Sequence, residues 1–122
     1  MIKEIDIKSF NVKLKATIQA TGRLGFTNDT KEALKLTEET YVKFARDDEG
    51  ANDFYMALIN EQNDNAFKVM KSGMYYYLAT QLMFDALGIN YRELNIMFDL
   101  VRRADLDSML NGKVYRMCMR TS

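Results

Sequence analysis

Lys13 and Lys15 stand two residues apart in a segment whose residues alternate polar and apolar. In an extended chain that spacing puts both ammonium groups on one face. Arg23 follows beyond a Thr21-Gly22 turn, and Arg102-Arg103 form a second basic pair. Such cations bind phosphate when they converge locally, whatever the net charge. Tyr75-Tyr76-Tyr77 is the other cluster with a chemistry of its own. In a strand, Tyr75 and Tyr77 face one way and Tyr76 the other, so the outer pair can form a platform on which bases stack. Each feature also has a plain structural explanation. Lys13 and Lys15 can solvate a strand or guard its edge, and Arg102-Arg103 can cap a strand end. Packing is the commoner fate of aromatic clusters. It would put Tyr75 and Tyr77 at the core edge and Tyr76 on the surface.

The residue types present exclude more chemistry than they suggest. The chain has 122 residues, no His and one Cys. Without His there is no Ser-His-Asp or Cys-His arrangement and no zinc site of cysteines and histidines. No carboxylate pair is placed by local periodicity to face a common site. The Asp47-Asp48-Glu49 turn lacks the ligand spacing of a calcium loop, and Cys118 reads as a strand residue. The expectation is therefore a non-catalytic protein with no cofactor and no metal. One Cys makes no internal disulfide, so a reducing, cytoplasmic setting is the default. No apolar run approaches the ~20 residues of a membrane span, and Met1 to Asp6 lacks the apolar stretch of a secretory signal.

Lysine plus arginine and aspartate plus glutamate number 17 each, but the balance is uneven along the chain. Residues 1–23 hold five basic residues against Glu4 and Asp6, whereas residues 24–61 hold four basic and nine acidic ones. The zero is thus a basic first segment cancelled by an acidic middle.

The elements that must carry these groups follow from periodicity. Phe10 to Ala20 alternates cleanly, with Val12, Leu14, Ala16, Ile18 and Ala20 on one face, which predicts a half-buried strand. Arg23 to Phe26 returns as a second strand. Thr27-Asn28-Asp29-Thr30, with Glu32 three residues after Asp29, carries the N-terminus signals of a short helix over about Asp29 to Leu36. Tyr41–Ala45, Phe54–Ile59, Ala66–Met70, Met74–Leu78, Leu94–Val101 and Lys113–Met119 read as further strands. Ala79, Leu82, Met83, Ala86 and Leu87 mark a second helix, with Gly88 as its C-cap. Asn111-Gly112 reads as a tight turn.

Two stretches echo each other. Thr27 to Leu34 has the spacing of Thr80 to Leu87, Glu32-Ala33-Leu34 matches Asp85-Ala86-Leu87, and Leu36 matches Ile89. Duplication and the chance similarity of two strand-helix-strand units both account for this. Gly22-Arg23-Leu24-Gly25-Phe26-Thr27, then Ala33-Leu34-Lys35-Leu36, then Tyr41-Val42-Lys43-Phe44, resembles the AbrB/MazE swapped-hairpin module. The resemblance covers about the first third of the chain. It implies interleaved hairpins, dimerisation, and DNA contact by basic residues near the first hairpin. Thr27 stands where the family usually has Pro, and Lys35 where it has Gly. The same cap would then force Lys35 to a positive φ. The second half has Gly88 at that place but no counterpart of Arg23. Single-strand-binding folds of the PUR or Whirly type also combine curved sheets with helices, though no motif here selects them.

The predicted fold class is α+β. It is a β-rich single domain over residues 1–122, with strongly bent antiparallel strands and two short helices, and with pseudo-repeats at 10–60 and 65–120 if the echo is a duplication. The predicted function is a nucleic-acid-binding or transcription-regulatory domain that contacts DNA or RNA through Lys13, Lys15, Arg23, Arg102 and Arg103, with Tyr75 and Tyr77 as the aromatic platform. The alternative is a non-catalytic interaction or assembly domain, expected as a homodimer. No membrane partner is expected.

Overall fold

The structure, a computed structural model, describes residues 1–4, 13–47 and 54–121. The alternating first segment forms β1 (Lys15–Ile18), with Ala16 and Ile18 buried and Lys15 and Thr17 on the opposite face. The earlier part of the predicted strand, residues 10–12, lies outside the described residues, as do Asp48 and Glu49 of the acidic turn. Gly22 makes the turn at φ +87°, and a side chain there would collide with Gln81. β2 (Leu24–Phe26) then returns antiparallel to β1, with Ala16 opposite Phe26 and Ile18 opposite Leu24.

The first helix, α1 (Asn28–Ala33), starts earlier than the Asp29-Glu32 pair suggested. Thr27 is the N-cap, and its hydroxyl accepts from the Thr30 amide at 3.2 Å. The helix also stops before Leu36. The Lys35 amide donates to the Glu32 carbonyl and the Leu36 amide to that of Lys31, with Lys35 at φ +54°. This is a Schellman cap with a lysine in the glycine position. The second helix, α2 (Gln81–Ala86), ends the same way. Gly88 donates to Asp85, Ile89 to Phe84, and Gly88 sits at φ +73°.

The remaining strands are β3 (Tyr41–Arg46), β4 (Phe54–Ile59), β5 (Phe67–Lys68), β6 (Met70–Ser72), β7 (Tyr75–Leu78), β8 (Ile96–Arg102) and β9 (Lys113–Thr121). All pairs are antiparallel, in the order β5-β3-β4-β9-β8-β1-β2-β7-β6. The two ends of that order are consecutive in sequence, separated by buried Val69. The predicted strand from Ala66 to Met70 therefore breaks at Val69. Before it the chain pairs with β3 and after it with β7, while the Val69 amide donates to the Thr40 carbonyl at 2.9 Å. The sheet thus curls nearly into a barrel. Inside it, a run of aromatic contacts links Phe67, Phe44, Phe54, Phe98 and Phe84 at centroid distances of 5.5–6.3 Å.

Strands from the two ends of the chain interleave. β1 pairs with β8, β5 with β3, β2 with β7 and β4 with β9. Exchanging β2, β3 and β4 with β7, β8 and β9 leaves this pattern unchanged, if β5 and β6 are taken as one bent strand matching β1.

Among the described residues there is also a third helix, which the sequence reading does not contain. A 3-10 turn (Ala104–Leu106) and α3 (Asp107–Leu110) join β8 to β9. Asn111, expected in a hairpin turn, instead closes α3 in the left-handed conformation. Seven residues are too few for helical periodicity to show in sequence. No helix of the described residues is long and apolar enough to cross a membrane.

The two caps give a paired test. A Cβ on Gly88 would touch nothing within 4 Å, so Gly88→Ala exposes the cost of positive φ alone, about 1 kcal/mol. Lys35→Gly should change stability in the opposite direction by up to about 1 kcal/mol. Urea unfolding of both variants measures this.

Candidate nucleic-acid interface

Strand alternation decides which side chains leave the barrel. On β2, Leu24 and Phe26 are buried, so Arg23 and Gly25 face outward. On β7, Leu78 is buried and Tyr76 packs against the core, so Tyr75 and Tyr77 face outward. On β1 the outward residues are Lys15 and Thr17, with Gln19 just past the strand's end, and on β8 they include Met97 and Asp99. Register aligns them. Tyr77 is opposite Gly25, Gly25 opposite Thr17, Thr17 opposite Met97, and Met97 opposite Arg120. One outer face therefore runs across β7, β2, β1, β8 and the end of β9.

The packing expectation for the tyrosines is reversed. Tyr75 and Tyr77 stack on each other outside the sheet, with centroids 5.9 Å apart and rings 17° from parallel. Tyr76 turns inward, with the Lys31 ammonium 5.0 Å from its ring centre. Gly25 explains the arrangement. The Tyr75 hydroxyl and ring edge lie where a Cβ on residue 25 would project, so any larger residue would push the ring away. The Gln19 amide donates to the Tyr75 hydroxyl, and the Arg23 guanidinium lies 4.4 Å from the centre of the Tyr77 ring. Burial raises the Tyr75 pKa above its ordinary value, against the opposing pull of Arg23. The phenol is therefore neutral near pH 7.

Lys13 and Lys15 continue this face. Lys15 is held by its backbone amide, which donates to the buried Thr30 hydroxyl at 2.7 Å. Together with Asp99 and Arg120, the two lysines line a groove of about 330 Å³. Arg120 pairs with Asp99 at 2.8 Å and points a second nitrogen at the Met97 sulfur. Among the described residues, Lys13, Lys15 and Arg23 have no carboxylate within ion-pair distance. Gln19 shares the polar face that alternation assigns to Lys13 and Lys15, and Arg120 reaches that face because β1 and β9 both flank β8, which periodicity cannot reveal.

Arg102 and Arg103 lie elsewhere. They sit at the far end of β8, roughly 17 Å along the strand from Met97. Arg102 grips Asp107 through two bonds of 2.6 and 2.5 Å and also donates to the Val114 carbonyl. Arg103 grips Asp105 at 2.9 and 2.8 Å. These pairs staple the β8–β9 connection, and their charge is matched locally. Cys118 is half-buried in β9, opposite Asp99, as a strand residue.

No protein-family model, curated protein or solved structure matches the chain.

The Arg102 staple has a pH signature. Its hydrogen bonds, then the Val114 amide, hold the Asp107 carboxyl down from 3.8 to about 2. A carboxyl depressed by folding stabilises the fold above its unfolded pKa, and that contribution disappears as pH falls through the folded value. Thermal unfolding should therefore show a loss of stability between about pH 4 and pH 2 that is smaller in Asp107→Asn. The same variant should melt lower than the parent at pH 7.

Proposed function

We propose that this protein binds single-stranded nucleic acid through the outer face of β7, β2, β1 and β8. The observation that carries this reading is the arrangement of that face, where Lys13, Lys15 and Arg23, without carboxylate partners among the described residues, flank two outward, stacked tyrosines. Cations along a sheet face neutralise backbone phosphates. Aromatic rings stack with bases of any sequence, provided the bases are unpaired. Tyr75 and Tyr77 supply the rings, Arg23 supplies a cation in contact with one of them, and Lys13 and Lys15 extend the positive potential along β1. Arg102 and Arg103 are not part of this surface. The Asp99–Arg120 pair at its edge limits the net charge, so the affinity is modest and falls as salt rises.

A homodimeric assembly domain is the second reading. It rests on the zero net charge and on exposed Met74, Leu82 and Met109. A monomeric mass by light scattering at high concentration would remove it.

Fluorescence anisotropy with labelled single-stranded oligonucleotides tests the first reading. Binding should weaken as salt rises, with a logarithmic slope of about −2 for three phosphate contacts. Lys13→Glu with Lys15→Glu should cost tenfold or more and flatten the slope. Tyr77→Ala should cost roughly 10- to 100-fold, and Gly25→Ala should weaken binding by displacing Tyr75. Unchanged binding in the double-glutamate variant, or none at micromolar protein and low salt, sinks the proposal.

A further inference from the structure

A second polar groove opens where β3, β4 and the start of β9 meet. It encloses about 850 Å³ and shares no residue with the aromatic face. Lys35, Lys43 and Lys113 line it, with Asn60, Asn63 and Asn111 between them. Glu61 is the one carboxylate in its lining among the described residues. Lys35 and Lys43 have no ion-pair partner there, and Lys113 acts only at longer range on Asp107.

The backbone makes this groove unusual. Two non-glycine residues of the described chain have positive φ, Lys35 at 54° and Asn111 at 55°, and both line it. Asn tolerates that conformation, whereas Lys does so at a cost. The matching cap of α2 uses Gly88, so the same turn is made elsewhere without strain. At position 35 the chain holds a lysine against its backbone preference, and that lysine is part of the groove's lining. Unfavourable backbone retained in this way gathers at binding sites. The base of the groove is tight as well. A Cβ on Gly112 would come within 2.5 Å of the Leu58 carbonyl oxygen, so β9 starts pressed against β4.

We infer that this groove binds a small phosphorylated molecule carrying at least two negative charges, of the diphosphate class. Its volume suits a small ligand. Lysine ammonium groups act as compact point charges toward phosphate oxygens. The three asparagines offer hydrogen bonds to the uncharged part of such a molecule.

Calorimetric titration of the full chain with inorganic pyrophosphate, and separately with ADP, tests the inference. At low ionic strength, saturable one-to-one binding is expected with at least one of the two. Lys43→Gln and Lys113→Gln should each weaken it roughly tenfold. Lys35→Gly should weaken it similarly without lowering the melting temperature, since it supplies the residue the cap prefers. Loss of binding in that variant therefore cannot be loss of fold. Lys13→Glu with Lys15→Glu should leave pyrophosphate binding unchanged, which separates this site from the nucleic-acid face. The inference is overturned if neither probe binds at millimolar concentration, or if Lys35→Gly and Lys43→Gln bind as the parent does. It is also overturned if the lysine variants lose only oligonucleotide binding, which would assign these charges to a nucleic-acid backbone.

Discussion

The hydrogen bond from the Val69 amide to the Thr40 carbonyl marks the point on which this architecture turns. One short stretch of chain, Phe67 to Ser72, must satisfy two different strands, β3 on one side of Val69 and β7 on the other. An open sheet of nine strands would leave two rows of unpaired backbone groups exposed. Here the two ends of the strand order meet at a single buried residue. Curling the sheet creates an inside, which the phenylalanine run fills, and an outside, where alternation delivers tyrosines and cations together. Both candidate sites are consequences of that curvature.

The local elements were largely legible because local rules govern them. Period-two alternation located β1 and the turn chemistry located the first hairpin. The echo between Thr27–Leu36 and Thr80–Ile89 proved to contain two caps with the same hydrogen bonds, including the positive φ anticipated for Lys35. Misplaced boundaries came from competition between polar groups. Thr27 was a closer cap than Asp29, and Thr80 spends its hydroxyl on Leu24 and Gly22 of the neighbouring hairpin. The third helix lacked the length to show a period.

The candidate sites were less legible, and for a different reason. Sequence fixes which face of a strand a side chain occupies only once the buried neighbour is known. Three consecutive tyrosines offer no apolar-polar contrast, so buried Leu78 decides their parity. Charges present the same difficulty. Lys13 and Arg102 are equally basic in a composition count, yet one has no carboxylate partner among the described residues and the other is bound to Asp107. The groove lined by Lys35, Lys43 and Lys113 draws on three separate stretches of chain, and no linear spacing connects them.

The interleaving of strands has a consequence for how the molecule comes to be. β1 finds β2 almost at once, but its other neighbour, β8, lies most of the chain away, and β3 and β4 wait for β5 and β9. Contacts so distant in sequence make folding slow, because chain closure must precede the reward. During synthesis the first half can form a hairpin and a helix but cannot complete its barrel. Until β8 and β9 arrive, the strands made first have unpaired edges, and the nascent chain is at its most vulnerable to association with its neighbours.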